Sequence, residues 1–139
     1  MNKTNELQDF PINIKIKLSA LWAGVTLCYL YCDYFELYVP KKIEGIISGE
    51  NLLNSPTKLF TAGVVLVIPA VMVFLSLMLK PVVSKWLNII VGMLFTVIMV
   101  LICFTWSEGW YNFYLFYAIL ESLITAFIVW LAWKWPKVI

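Results

Sequence analysis

The sequence predicts an all-α fold: an integral membrane antiparallel four-helix bundle. Three observations lead there. Of the 139 residues, 63% are hydrophobic and only 13% are charged, against about 25% charged in ordinary soluble domains. A soluble fold this small is mostly surface and cannot hide so much apolar area, whereas lipid solvates it. The apolar residues also gather into four runs that each reach the ~20 residues needed to cross a bilayer as a helix. These runs lack the period-two alternation of barrel strands, and a helix satisfies every backbone group within its own segment.

The first run covers about 18–37, the second about 59–79, the third about 86–106 and the fourth about 113–133. All 139 residues are read as one membrane domain. Pro69 falls in the middle of the second run, where it removes one backbone hydrogen bond and kinks the helix. The link "KPVVSK" (80–85) is short, and so is "SEGWYN" (107–112), so helices two and three, and three and four, are expected to be antiparallel neighbours. The first connection is longer. Within it, about 41–49, Ile43, Ile46 and Ile47 are spaced to make a short helix lying on the membrane surface. Ser55 followed by Pro56 marks the start of the second crossing.

Lysines set the orientation, because cytoplasmic loops carry the excess of positive charge. With the N-terminus inside, Lys3, Lys15, Lys17, Lys80, Lys85, Lys134 and Lys137 lie on the cytoplasmic side, and Lys41, Lys42 and Lys58 lie outside. This places both termini in the cytoplasm of a bacterial inner membrane. Trp22, Trp86, Trp130, Trp133 and Trp135 form an inner aromatic belt, and Trp106 and Trp110 an outer one.

Polar residues within the runs sort by face. On a helical wheel Trp22, Thr26, Tyr29, Asp33 and Glu36 share one sector of the first helix. Trp110, Tyr114, Tyr117, Glu121 and Thr125 share one sector of the fourth, and Asn88, Gly92, Phe95 and Met99 one stripe of the third. Such faces turn toward the interior of a membrane protein, since polar groups are disfavoured against lipid. Glu121 is the most informative residue. An ionised acid at mid-membrane costs about 2.5–3.5 kcal/mol on insertion scales, and no basic side chain lies in any run to pair with it. It has to be neutral, hydrogen-bonded by Tyr or Asn, solvated in a cavity, or matched by a bound cation. Asp33 and Glu36 sit close enough to the outer surface to pair with Lys41 and Lys42.

The predicted ligand- or ion-binding site is Tyr29, Asp33, Tyr114, Tyr117 and Glu121, with Thr26, Glu36, Asn88 and Thr125 around it. Carboxylates among tyrosines suit a cation or an amine, through charge and through cation–π contact. There is no Arg and no His. This removes the bidentate fork used for phosphate and nucleic acid and the usual neutral-pH base and metal ligand, so no nucleic-acid partner, metal or cofactor is expected. Cys28, Cys32 and Cys103 all lie in apolar stretches and read as packing residues.

The stretch "LWAGVTLCYLYCDYFEL" resembles the first helix of an uncharacterised family of small bacterial four-helix membrane proteins. That family carries a Leu-Trp pair followed by an Asn-Tyr-Leu-Tyr-small-Asp motif. Leu21, Trp22, Tyr29, Leu30, Tyr31 and Asp33 match it, with Cys28 at the Asn position and Cys32 at the small one. The resemblance implies the four-helix architecture and the Tyr29–Asp33 face, and it brings no activity.

The functional expectation is transport or binding of a cation or small amphipathic molecule in an outward-facing acidic, tyrosine-lined cavity. The alternatives are a non-catalytic scaffold or accessory subunit, and a pore-forming effector that works as a homo-oligomer. No nucleophile–base pair or cofactor motif points to an enzyme.

Overall fold

The computed structural model describes residues 7–105 and 109–137. Lys3 and Trp106, used above for orientation and for the outer belt, lie outside the described residues, as do Ser107 and Glu108 of the last connection. The described chain is all-helical, with no strand among the described residues. Five helices follow one another: α1 (Ile14–Glu36), α2 (Lys42–Ser48), α3 (Pro56–Met78), α4 (Pro81–Thr105) and α5 (Asn112–Trp133), the last entered through a 3₁₀ turn, Gly109–Tyr111.

Local chemistry sets the starts. Asn13 caps α1, its Oδ1 accepting from the Lys15 amide at 2.9 Å. Ser55 caps α3, its Oγ accepting from the Lys58 amide at 3.3 Å, with Pro56 in the first turn, where its missing N–H costs nothing. Short α2 ends at Gly49 with φ 80°, a left-handed conformation that a side chain would strain.

Three segments, Pro56–Met78, Pro81–Thr105 and Gly109–Trp133, are long and apolar enough to cross a membrane. The 23-residue α1 is not in that group. Its length suffices, but Ser19, Thr26, the tyrosines, Asp33 and Glu36 dilute its apolar content.

Around the core the helices run in the order α3, α1, α5, α4. This corrects the expectation that the tight link makes α3 and α4 close neighbours. The two are joined by a turn of only Leu79 and Lys80, because α4 begins at Pro81. Beyond that turn α3 packs on α1, and α4 packs on α5. The core is built from Leu18, Trp22, Val25 and Tyr29 of α1, Met72 of α3, Ile89, Phe95 and Met99 of α4, and Ile128 and Ala132 of α5. The Trp22 ring meets the Phe95 ring edge to face, centroids 6.2 Å apart, which suits their quadrupoles.

One buried polar knot joins three helices near the α3–α4 turn. Trp22 Nε1 donates to Asn88 Oδ1 at 2.7 Å, and Ser76 Oγ donates to the same oxygen at 3.2 Å. The Asn88 amide donates to the Ser84 carbonyl at 2.8 Å, and Ser84 Oγ donates to the Ser76 carbonyl at 3.2 Å. Asn88, Ser76 and Ser84 are all fully buried, so the knot satisfies groups that would otherwise carry a desolvation penalty. At the same end, Lys15 Nζ donates to the Leu79 carbonyl at 2.6 Å, closing the C-terminus of α3 with a positive charge.

Helices α4 and α5 approach closely at Gly92. A Cβ there would lie 2.8 Å from Val129 Cγ2 and 3.4 Å from the Thr125 carbonyl, so any side chain at this position forces Val129 or the helices to shift. The Thr96 and Thr125 hydroxyls, 2.7 Å apart, stitch the same seam.

On α3 every buried residue (Pro69, Met72 and Ser76) lies from the proline onward, and none lies in 56–68. Pro69 has no N–H to offer the Val65 carbonyl one turn earlier. Up to this proline, then, α3 is poorly covered by protein, and from it onward α3 is packed.

Asn88→Ala is expected to lower stability by about 1–3 kcal/mol, because Trp22 and Ser76 lose a buried acceptor. Gly92→Val is expected to cost about 1–3 kcal/mol by overpacking the seam. Detergent-denaturation midpoints of the two variants check both figures.

Candidate functional site

Above the polar knot, α1 and α5 each bring an acid to one cavity. It has a volume of about 330 Å³, within the range typical of ligand sites. Tyr29, Cys32 and Asp33 line it from α1, and Tyr114 and Glu121 from α5. Ala62, Val65 and Leu66 of α3 and Phe95, Ile98, Met99 and Ile102 of α4 complete it. The wall is therefore divided: polar and acidic on α1 and α5, apolar on α3 and α4.

The local geometry follows from helical spacing. Tyr29 and Asp33 are one turn apart, as are Cys32 and Glu36, while Tyr114 and Glu121 are two turns apart on one face. Tyr29 packs against Phe95, ring centroids 5.9 Å apart. Phe95 also carries Trp22, so one aromatic ring separates the cavity from the knot below.

Burial distinguishes the two acids. Glu121 is 2% exposed, and its Oε1 has no hydrogen-bond partner among the described residues. The hydroxyl of Tyr29, a residue 7% exposed, is also without a partner among them. Buried polar atoms are nearly always bonded, and each exception calls for an explanation. Asp33 is more open and also borders a second cavity, of about 380 Å³, which shares Asp33, Leu66 and Tyr114 with the first and continues to Lys42, Asn51 and Leu53. Glu36 lines that outer cavity and is ion-paired with Lys42, which ties α2 to the end of α1.

Four of the predicted site residues, Tyr29, Asp33, Tyr114 and Glu121, thus line one cavity. Tyr117 does not. It sits about 60° round the helix from Tyr114 and packs against Phe116 at 5.7 Å. Thr26 donates to the Trp22 carbonyl at 2.7 Å within α1, and the Thr125 hydroxyl is taken up by the Glu121 carbonyl at 3.0 Å and by Thr96 across the α4–α5 seam. Asn88 is consumed by the knot. Cys32, read from sequence as a packing residue, lines the cavity beside Asp33. Its small, weakly polar side chain gave no signal of that position. The apolar lining from α3 and α4 was equally silent, since a leucine facing a cavity and one facing lipid look the same in sequence.

All-helical among the described residues, with three helices long and apolar enough to cross a bilayer and a cavity bounded by α1, α3, α4 and α5, the chain has the make-up of a small membrane protein. The chain belongs to a family of unknown function (DUF6326), whose model matches residues 6–139. No curated protein and no solved structure matches it.

Buried unpartnered polar atoms cost about 1–3 kcal/mol each. Tyr29→Phe and Glu121→Met are therefore expected to raise the detergent-denaturation midpoint, each by an amount equivalent to about 1 kcal/mol. A clear fall in either midpoint would show that the atom removed is bonded within the protein.

Proposed function

We propose that this protein is a membrane receptor or carrier for a small organic cation, held in the cavity between Asp33 and Glu121. On this reading α1 is a fourth crossing, made tolerable by turning its polar face inward onto α3 and α5. The four long helices form an antiparallel bundle in a bacterial inner membrane. Both termini face the cytoplasm and the cavity faces the outer side. The orientation rests on the lysines, and the single-domain reading on the shared core.

The observation that carries the proposal is Glu121. Its carboxyl is almost fully buried, one oxygen lacks a partner among the described residues, and it borders a cavity with a second acid and two tyrosines. An intramembrane acid that faces a cavity is a functional-site candidate by default, because lipid-facing or purely structural acids are so costly. The chemistry of the wall names the ligand class. Two carboxyls offer charge to a cation, Tyr29 and Tyr114 offer ring faces and hydroxyl oxygens, and nothing in the lining is basic. The apolar remainder suits the carbon skeleton of an amine better than a hydrated metal ion, which prefers six or more oxygens.

Binding of radiolabelled ethylammonium to the purified chain in lipid nanodiscs tests this. Loss of one charge-assisted contact of about 1.5–3 kcal/mol predicts that Glu121→Gln weakens binding by at least about tenfold. Asp33→Asn, at the more open position, is expected to weaken it less. Ethylammonium binding unchanged in Glu121→Gln would contradict the assignment.

A further inference from the structure

The ring of helices is not closed. α3 packs on α1, α1 on α5 and α5 on α4, but α4 and α3 touch each other far less. The side-chain hydrogen bonds between these two helices, from Ser76 and Ser84, lie near their turn, next to Asn88. Farther from the turn, α3 has no buried residue between Pro56 and Ile68. Val65 and Leu66, which line the cavity, are themselves exposed, and on α4 the lining residues Ile98 and Ile102 are only half-buried. Both helices that bound this gap are among the segments apolar enough to lie in lipid. The cavity therefore has an apolar side entrance at the depth of the bilayer.

The wall is divided in the same sense. The acids and tyrosines stand on α1 and α5, away from the gap, and the apolar residues of α3 and α4 stand at the gap. A ligand matching this division carries a positive charge at one end and a hydrocarbon chain at the other. Its charged end meets Glu121, whose Oε1 and whose neighbour the Tyr29 hydroxyl lack protein partners among the described residues. Its chain leaves between α3 and α4 into lipid, where its length meets no wall.

We infer that the ligand is a lipid-like amine, a long-chain ammonium amphiphile, seated with its ammonium at Glu121 and Asp33 and its tail passing between α3 and α4 into the bilayer. This rests on the cation-binding reading above and adds the tail and its exit.

Tail length tests it with the full chain in nanodiscs. Ethyl-, octyl- and hexadecylammonium are the probes, with affinities expressed per mole fraction of ligand in the bilayer, so that partitioning into lipid is removed. An open side predicts that octyl- and hexadecylammonium bind within about threefold of each other, because the added methylenes stay in lipid either way. A closed cavity of this size predicts that hexadecylammonium is weaker by at least about tenfold, since its tail has no room. A hexadecylammonium with a photoreactive group at its tail end is expected to label peptides of α3 or α4, and excess ethylammonium is expected to abolish that labelling. Labelling of α1 or α2 instead, or labelling that ethylammonium does not compete, would overturn the tail path. If ethylammonium binds in a Glu121-dependent manner while hexadecylammonium is rejected, the tail path falls and the cation site stands. If no ammonium binds, both fall. The tail series uses only the natural sequence, so it does not depend on any variant folding.

Discussion

The hydrogen bond from Trp22 Nε1 to Asn88 Oδ1, 2.7 Å long, is the contact on which the rest of the arrangement depends. In lipid there is little water to rescue an orphaned indole or amide, so a buried polar group must find its partner inside the protein. Asn88 solves this for three helices at once. It accepts from α1 and from α3 while its own amide is held within α4. The knot sits beside the two-residue link between α3 and α4 and next to the Lys15 contact that closes α3. Together these fix one end of the molecule. The side-chain hydrogen bonds that join α3 to α4 lie at this end, and beyond it α3 is covered mainly by α1.

The opposite half follows a different rule. There the polar groups Tyr29, Asp33, Tyr114 and Glu121 are brought to a common space, and two of their atoms, Tyr29 Oη and Glu121 Oε1, lack partners among the described residues. One ring, Phe95, divides the saturated half from the unsaturated one. Asn88 is thoroughly satisfied and Glu121 is left short, and on the proposed reading a bound cation offsets that shortfall.

Much of this was legible in the sequence. Low charge and long apolar runs point to an all-helical chain with helices apolar enough for a membrane, and the chain is all-helical with three such helices among the described residues. Glu121 stood out because an acid deep in an apolar run with no basic residue in any run needs a reason. Wheel positions put Asn88, Phe95 and Met99 on one inward stripe, and all three are buried. What Asn88 does was not legible, since its partner Trp22 lies 66 residues away. The departure of α3 from α4 was hidden for a related reason. Link length says which helices are adjacent in sequence, whereas packing is decided by side-chain surfaces, and α3 packs chiefly on α1. A wheel sector wide enough to hold Tyr114 and Glu121 also takes in Tyr117, which does not line the cavity, and a small thiol beside an acid, such as Cys32, looks like packing in sequence. Short α2 was foreseen from its isoleucines, but the Glu36–Lys42 pair that ties it to α1 had only charge and proximity to suggest it.

The central claim is that a cation in the cavity meets the Glu121 carboxyl. Infrared difference spectroscopy reads carboxyl groups directly, and ethylammonium added to the protein in nanodiscs supplies the cation. The account predicts a carboxyl difference band on ethylammonium addition whose larger part disappears in Glu121→Gln and whose remainder disappears when Asp33→Asn is added. A spectrum with no carboxyl change on saturation, or one identical in wild type and Glu121→Gln, would contradict it.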